Sequence, residues 1–144
     1  MPDITSLDRN FATSDIVEAD RIGRDCRQSP FRGYGLTYEE GRFVRLPLSV
    51  ARDVSSGVEN LAGHTAGGRL RFITDSPFVA IRATMDRISR MPHFALSGVA
   101  GFDLYVDQDY TGTFMPPFDT QDGYTSEIRF ADAREREITI HFPT

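Results

Sequence analysis

Hydrophobic and polar residues alternate with a period of two along much of the second half of the chain, which is the pattern of half-buried strands. In Gly101-Phe102-Asp103-Leu104-Tyr105-Val106-Asp107, Phe102, Leu104 and Val106 fall on one face and Asp103, Tyr105 and Asp107 on the other. Gln108-Asp109 before Tyr110-Thr111-Gly112 predicts a turn into the next strand, so the stretch reads as a central hairpin arm. The same alternation runs through Leu70-Arg71-Phe72-Ile73-Thr74. After the Asp75-Ser76-Pro77 turn, Val79, Ile81, Ala83 and Met85 are expected inward with Arg82 outward. At the end of the chain Ile138, Ile140 and Phe142 are expected inward, with Thr139 and His141 outward.

The remaining stretches are less regular. Residues 1–29 carry apolar side chains at no steady period and read as an extended lead-in packed on the domain, with one short strand. Ser29-Pro30-Phe31-Arg32-Gly33-Tyr34-Gly35-Leu36 is a Pro/Gly-punctuated connection with apolar anchors. A turn at Glu39-Glu40-Gly41 precedes Val44, Leu46 and Leu48 in alternation, where Pro47 confines pairing to an edge or a strand end. Val50, Val54, Val58 and Leu61 recur at helical spacing, but Ser55-Ser56-Gly57 limits that helix to a turn or two. Residues 87–97 read as a loop. Beyond Pro116-Pro117 a polar loop runs through Gly123, and Ile128 and Phe130 then alternate with Glu127 and Arg129. About eight short strands with little helix make an all-β domain over residues 30–144. A β-sandwich or jelly roll is expected, with a barrel as the alternative.

Composition narrows the function classes. At 144 residues the chain suits one domain burying roughly 70% of its unfolded surface. The net charge of −5 argues against nucleic acid, although all sixteen basic residues are Arg. No apolar run approaches membrane-spanning length and Met1 to Asn10 lacks the features of a signal peptide, so a cytoplasmic setting is expected. Cys26 has no cysteine partner and reads as a spectator thiol. His64, His93 and His141 lack metal-ligand spacing, and the carboxylates at Asp107, Asp109, Asp119 and Asp122 lack an EF-hand pattern, so no metal and no cofactor is expected. Neither Ser97-Gly98 nor Ser76-Pro77 offers a nucleophile-elbow context, and no catalytic residue is nominated. Tyr34, Tyr38, Tyr105, Tyr110 and Tyr124 are available as stacking platforms for a carbohydrate, though packing explains them as well.

Six short words in order carry a resemblance. They are Pro30-Phe31-Arg32 with Tyr34-Gly35-Leu36, Thr65-Ala66-Gly67-Gly68-Arg69 with Phe72, Thr74-Asp75-Ser76-Pro77, Met91-Pro92-His93 with Leu96 and Gly98, Gly101-Phe102-Asp103-Leu104-Tyr105, and Ile138-Thr139-Ile140-His141-Phe142-Pro143. From Pro30 onward the chain resembles the GxDLY-type N-terminal domain that precedes the catalytic domain in bacterial SGNH (GDSL-like) esterases. The resemblance implies a jelly-roll accessory domain whose partner is an SGNH catalytic domain further along the same polypeptide. It also implies that the serine, Asp and His of the triad belong to that other domain. His141 does not match the catalytic Asp-x-x-His.

Binding or domain-interface residues are therefore expected at Met91, Pro92, His93, Phe94 and Leu96, and on the polar face at Asp103 and Tyr105. The loop is expected to expose Met91, Pro92, Phe94 and Leu96 as an apolar patch through which the isolated domain self-associates, the alternative being an inward-folded loop. Asp103 is expected to hold a neighbouring loop through its carboxylate rather than to act as a base. The substrate of such a protein would be an ester or a carbohydrate.

Overall fold

The computed structural model describes residues 22–144, among which nine strands and three short helices are formed. Most of the lead-in, and the short strand expected in it, lie outside the described residues. Its last part turns at Asp25, where the Gln28 N–H donates to the Asp25 carbonyl, and Arg27 lies over the Tyr38 ring with its guanidinium carbon 4.3 Å from the centroid.

The strands are β1 (Arg32–Tyr34), β2 (Thr37–Glu39), β3 (Arg42–Val44), β4 (Arg69–Thr74), β5 (Phe78–Thr84), β6 (Phe102–Val106), β7 (Asp109–Phe114), β8 (Gly123–Arg129) and β9 (Arg136–His141). Five of them form a sheet in the order β1-β4-β9-β6-β7, while β2-β3 and β5-β8 are separate two-stranded sheets. Every pairing is antiparallel. The expected alternation holds where it was strongest: Leu104, Ile138 and Phe114 are fully buried, and Val106 and Ile140 nearly so. With Val79 of β5 they form one cluster, against which Phe72, Ile81, Phe102, Ile128 and Phe130 pack. The β5-β8 pair thus covers the apolar face of the five-stranded sheet. The chain crosses to it through the Ser76 turn, where the Ser76 hydroxyl donates to the Phe78 carbonyl and the Ser76 N–H donates to Thr74 Oγ1.

Two features differ from the sequence expectation. The Pro/Gly-punctuated connection contains β1 and is followed directly by β2, three residues each, too short to show a period. The stretch after Pro47, where a turn or two of helix was expected, holds two helices of seven residues each: α1 (Leu48–Val54) and α2 (Ser56–Ala62) are separated by Ser55, whose side chain accepts the Val58 N–H and caps α2. Glu39 of β2 accepts the Leu48 N–H and so satisfies a donor at the start of α1, a contact that local spacing does not reveal. The buried positions of these helices are Leu48, Ala51 and Ala62, whereas Val50, Val54 and Leu61, the residues of the helical-spacing stripe, are exposed.

The β6-β7 turn is one residue earlier than expected, at Asp107-Gln108, both with positive φ (50° and 75°). This is the conformation that matches the twist of two-residue hairpins. Asp107 accepts the Glu137 N–H through Oδ1 and an Arg134 Nη1–H through Oδ2. Those donors, the Glu137 N–H first, hold the Asp107 carboxyl below its ordinary value of 3.8. A lowered folded pKa means stability that is complete above the unfolded value and is lost as pH falls through the folded one. Asp107→Asn is therefore expected to lower the urea midpoint at about pH 7, with the gap to wild type smaller in acid, below the ordinary carboxyl value. Parallel urea curves of the two proteins at each pH measure it, and an equal gap at both would refute the assignment.

Candidate functional site

The loop after β5 leads into α3 (Leu96–Ala100), so residues 96 and 97, expected in a loop, open a short helix. The Phe94 N–H donates to the Met91 carbonyl, closing a turn that presents residues 92–94 outward. Pro92, His93 and Phe94 are exposed, whereas Met91 and Leu96 are half-buried, so only part of the expected patch faces solvent. The Phe94 ring rests on Gly98: a Cβ there would lie 2.7 Å from Phe94 Cε1, so any side chain at 98 would displace the ring. His93 meets Phe94 edge-on at 6.2 Å.

Three ties hold this loop to the rest of the domain. The Thr144 N–H donates to the Gly98 carbonyl (3.2 Å), which brings the last described residue beside the loop. The hydroxyl of Tyr124, from β8, lies within bonding distance of the Ala100 carbonyl (2.6 Å) and the Phe114 carbonyl (2.9 Å), joining the end of α3 to β7 and β8. Burial of the Tyr124 ring pushes its phenol well above the ordinary value. Arg90 reaches residues 115–122: its guanidinium donates to the Phe118 and Thr120 carbonyls and lies 5.3 Å from the Phe118 ring centroid. Phe118 itself is 85% exposed.

The polar face expected at Asp103 and Tyr105 is the outer face of the five-stranded sheet. Asp103 is exposed and accepts the Thr113 hydroxyl from its cross-strand neighbour on β7 at 2.6 Å, so it braces the sheet rather than a loop. Tyr105 meets Tyr110 edge-on at 5.7 Å and His141 at 5.1 Å. A shallow depression of about 410 Å³ opens there, lined by Arg69, Arg71, Tyr105, Gln108, Thr139 and His141. The expected site residues thus fall into two groups: Met91, Pro92, His93, Phe94 and Leu96 at one end of the domain, and Asp103 with Tyr105 on the sheet face. Among the described residues no three of His, Cys, Asp and Glu converge as metal ligands.

At the C-terminal end three of the six sequence words, those at residues 30–36, 65–72 and 138–143, meet. Gly68 accepts the Phe142 N–H (2.9 Å) and Thr65 donates its hydroxyl to the Pro143 carbonyl (2.8 Å). Gly68 has no room for a Cβ, which would lie 2.2 Å from Leu36 Cδ1. The family described as "GxDLY: N-terminus of Esterase_SGNH_hydro-type" matches residues 24–144. The chain belongs to the GxDLY family. The match starts ahead of Pro30, so residues 24–29 of the lead-in are part of the GxDLY domain. No curated protein matches the chain. Among solved structures, the salicylyl-acyltransferase SsfX3 from a tetracycline biosynthetic pathway is similar in fold, with a TM-score of 0.57 and 23% identity. The similarity covers 79% of this chain and 33% of that one, so this GxDLY chain corresponds to about a third of the solved protein.

Sequence reasoning did not find Phe118 or Arg90, and it took Tyr124 as an available stacking aromatic rather than as a buried tie. Tyr124 follows the Asp122-Gly123 turn signal and looks like one more loop aromatic; only the fold buries its ring between two strands and a helix. A buried hydroxyl bonded to main-chain carbonyls contributes about 1–2 kcal/mol when removed. Tyr124→Phe is expected to lower unfolding stability by about that amount, measured by urea denaturation. A midpoint equal to wild type would show that the hydroxyl does not tie α3 to β7.

Proposed function

We propose that this GxDLY domain is the non-catalytic accessory domain of an SGNH-type esterase, packing on the hydrolase domain and helping to shape its substrate entrance. The observation that carries this reading is the Thr144–Gly98 hydrogen bond. In GxDLY proteins the domain is the N-terminal part of an esterase-type chain, and here the segment that leads out of the last strand runs beside residues 91–98. A following domain would therefore start next to Pro92, His93 and Phe94, with Phe118 on the loop that Arg90 ties to them. Exposed aromatic side chains at such a place are the usual anchors of an interface. Asp103 and Tyr105, on the sheet face, would contribute at its margin.

The jelly-roll architecture belongs to the same proposal and is supported by the packing of the β5-β8 pair on the five-stranded sheet. The compartment we assign is the cytoplasm, on the unpaired Cys26; no described helix is long and apolar enough to cross a membrane. The ester chemistry comes from the hydrolase domain, and its acyl and alcohol groups are set there. A free-standing carbohydrate-binding module is less well supported. Tyr34, Tyr105 and Tyr110 share the outer sheet face, but Tyr105 and Tyr110 meet edge-on and Arg69 lies over Tyr34, so they do not offer a continuous flat platform.

The test compares two proteins, the 144-residue chain and the same chain joined to an SGNH hydrolase domain of a GxDLY-type esterase. The first is expected to hydrolyse an activated acetate ester no faster than an unrelated protein, and to self-associate at high concentration through its exposed aromatic loop. In the joined protein, Phe94→Asp with Phe118→Asp is expected to reduce kcat/KM at least about tenfold, a loss of about 1.4 kcal/mol. Activity unchanged by the double variant, with both domains folded, would remove these loops from the entrance.

A further inference from the structure

The outer face of the five-stranded sheet carries an arrangement that neither the core nor the proposed domain contact uses. Arg32 of β1 stands directly across from Arg71 of β4, and Arg69 of β4 directly across from His141 of β9. Directly opposed side chains in an antiparallel pair share a face, and like charges in that position repel. The outer face thus gathers Arg32, Arg69 and Arg71 in a chain of net charge −5. Only one of the three arginines is neutralised locally: Arg71 pairs with Glu137. Among the described residues Arg32 and Arg69 have no carboxylate partner, and Arg69 lies over the Tyr34 ring at 5.2 Å. The other nearby carboxylate, Asp103, is turned to Thr113.

From this geometry we infer a binding site for a small carboxylate that also carries hydroxyl groups. Arg69 and Arg71 lie two residues apart on the same face of one strand and both border the depression; Arg71 is held by Glu137, and the fork of Arg69 is the one that matches a ligand carboxylate bidentately. Thr139, Gln108 and the His141 imidazole complete the lining and suit hydroxyl groups. The Tyr105 ring, fixed edge-on between Tyr110 and His141, forms one wall. A bound carboxylate would neutralise Arg69, the arginine of the depression that has no carboxylate partner among the described residues. The required chemistry is shared by acyclic hydroxy acids and by acidic sugars. The site shares only Tyr105 with the margin of the domain contact proposed above; its arginines lie on strands rather than on the loops at residues 91–98 and 115–122.

The experiment titrates the 144-residue chain, followed by amide chemical shifts, with tartrate, galacturonate and galactose, each against sodium chloride at matched ionic strength. Tartrate, galacturonate or both are expected to shift the amides of Arg69, Arg71, Thr139 and His141 saturably, and the one that does so names the source of the carboxylate. Neutral galactose is expected to leave them in place. Arg69→Gln, at an exposed position that the core does not need, is expected to weaken the binding at least about tenfold, while Arg82→Gln on β5 leaves it unchanged. The bound anion is also expected to raise the Tm of wild type but not of Arg69→Gln. Shifts that galactose or sodium chloride reproduces, binding that survives Arg69→Gln, or no saturable shift with either carboxylate would overturn the site.

Discussion

The fold depends on the last strand. β9 pairs with β4 over six residue pairs and with β6 over four, and it is the only link between the β1-β4 and β6-β7 halves of the five-stranded sheet. Its inward residues, Ile138 and Ile140, are buried beside Leu104 and Phe114. Both strand pairings of β9 are long-range in sequence, so its ladder and side chains must offset a large loop-closure entropy. The same strand carries the chain on to Phe142, Pro143 and Thr144, whose backbone is tied to Gly68, Thr65 and Gly98. Closing the sheet and placing the exit of the chain are thus one structural event.

That coupling is what the proposed accessory role would use. Residues 91–98 are fixed at their end by Thr144 and through α3 by Tyr124. Whatever follows the GxDLY domain in an esterase-type chain would meet a surface whose position the core determines. Phe118 extends that surface because Arg90 bonds the carbonyls of its loop, so the exposed ring is carried on a fixed main chain rather than on a free tip.

The sequence is legible where a period of two persists for five or more residues. β5, β6 and β9 were each readable to within a residue or two, and their inward positions are those the alternation predicts. β1 and β2 were not, since three residues cannot show a period and their pairing is set by partners far along the chain. The helical stripe Val50, Val54, Val58 and Leu61 identified a helical region but not its buried face: Leu48, Ala51 and Ala62 lie inward, while Val50, Val54 and Leu61 are exposed and Val58 is half-buried. For the candidate site, the words around Met91-Pro92-His93 and Gly101-Phe102-Asp103 were readable as family words. That they occupy different surfaces follows from the turn into β6 and could not be read from spacing. Phe118 was invisible because its role comes from Arg90, twenty-eight residues away.

The central claim is that the end of the domain bearing residues 91–98 and 115–122 meets a hydrolase domain. The most direct measurement is amide hydrogen exchange on the 144-residue chain alone and joined to an SGNH hydrolase domain of a GxDLY-type esterase. The account predicts added protection in these two loops and in residues 142–144, with exchange on β5 and β8 unchanged. Equal exchange in the loops of both proteins, or protection confined to the α1-α2 face, would contradict it.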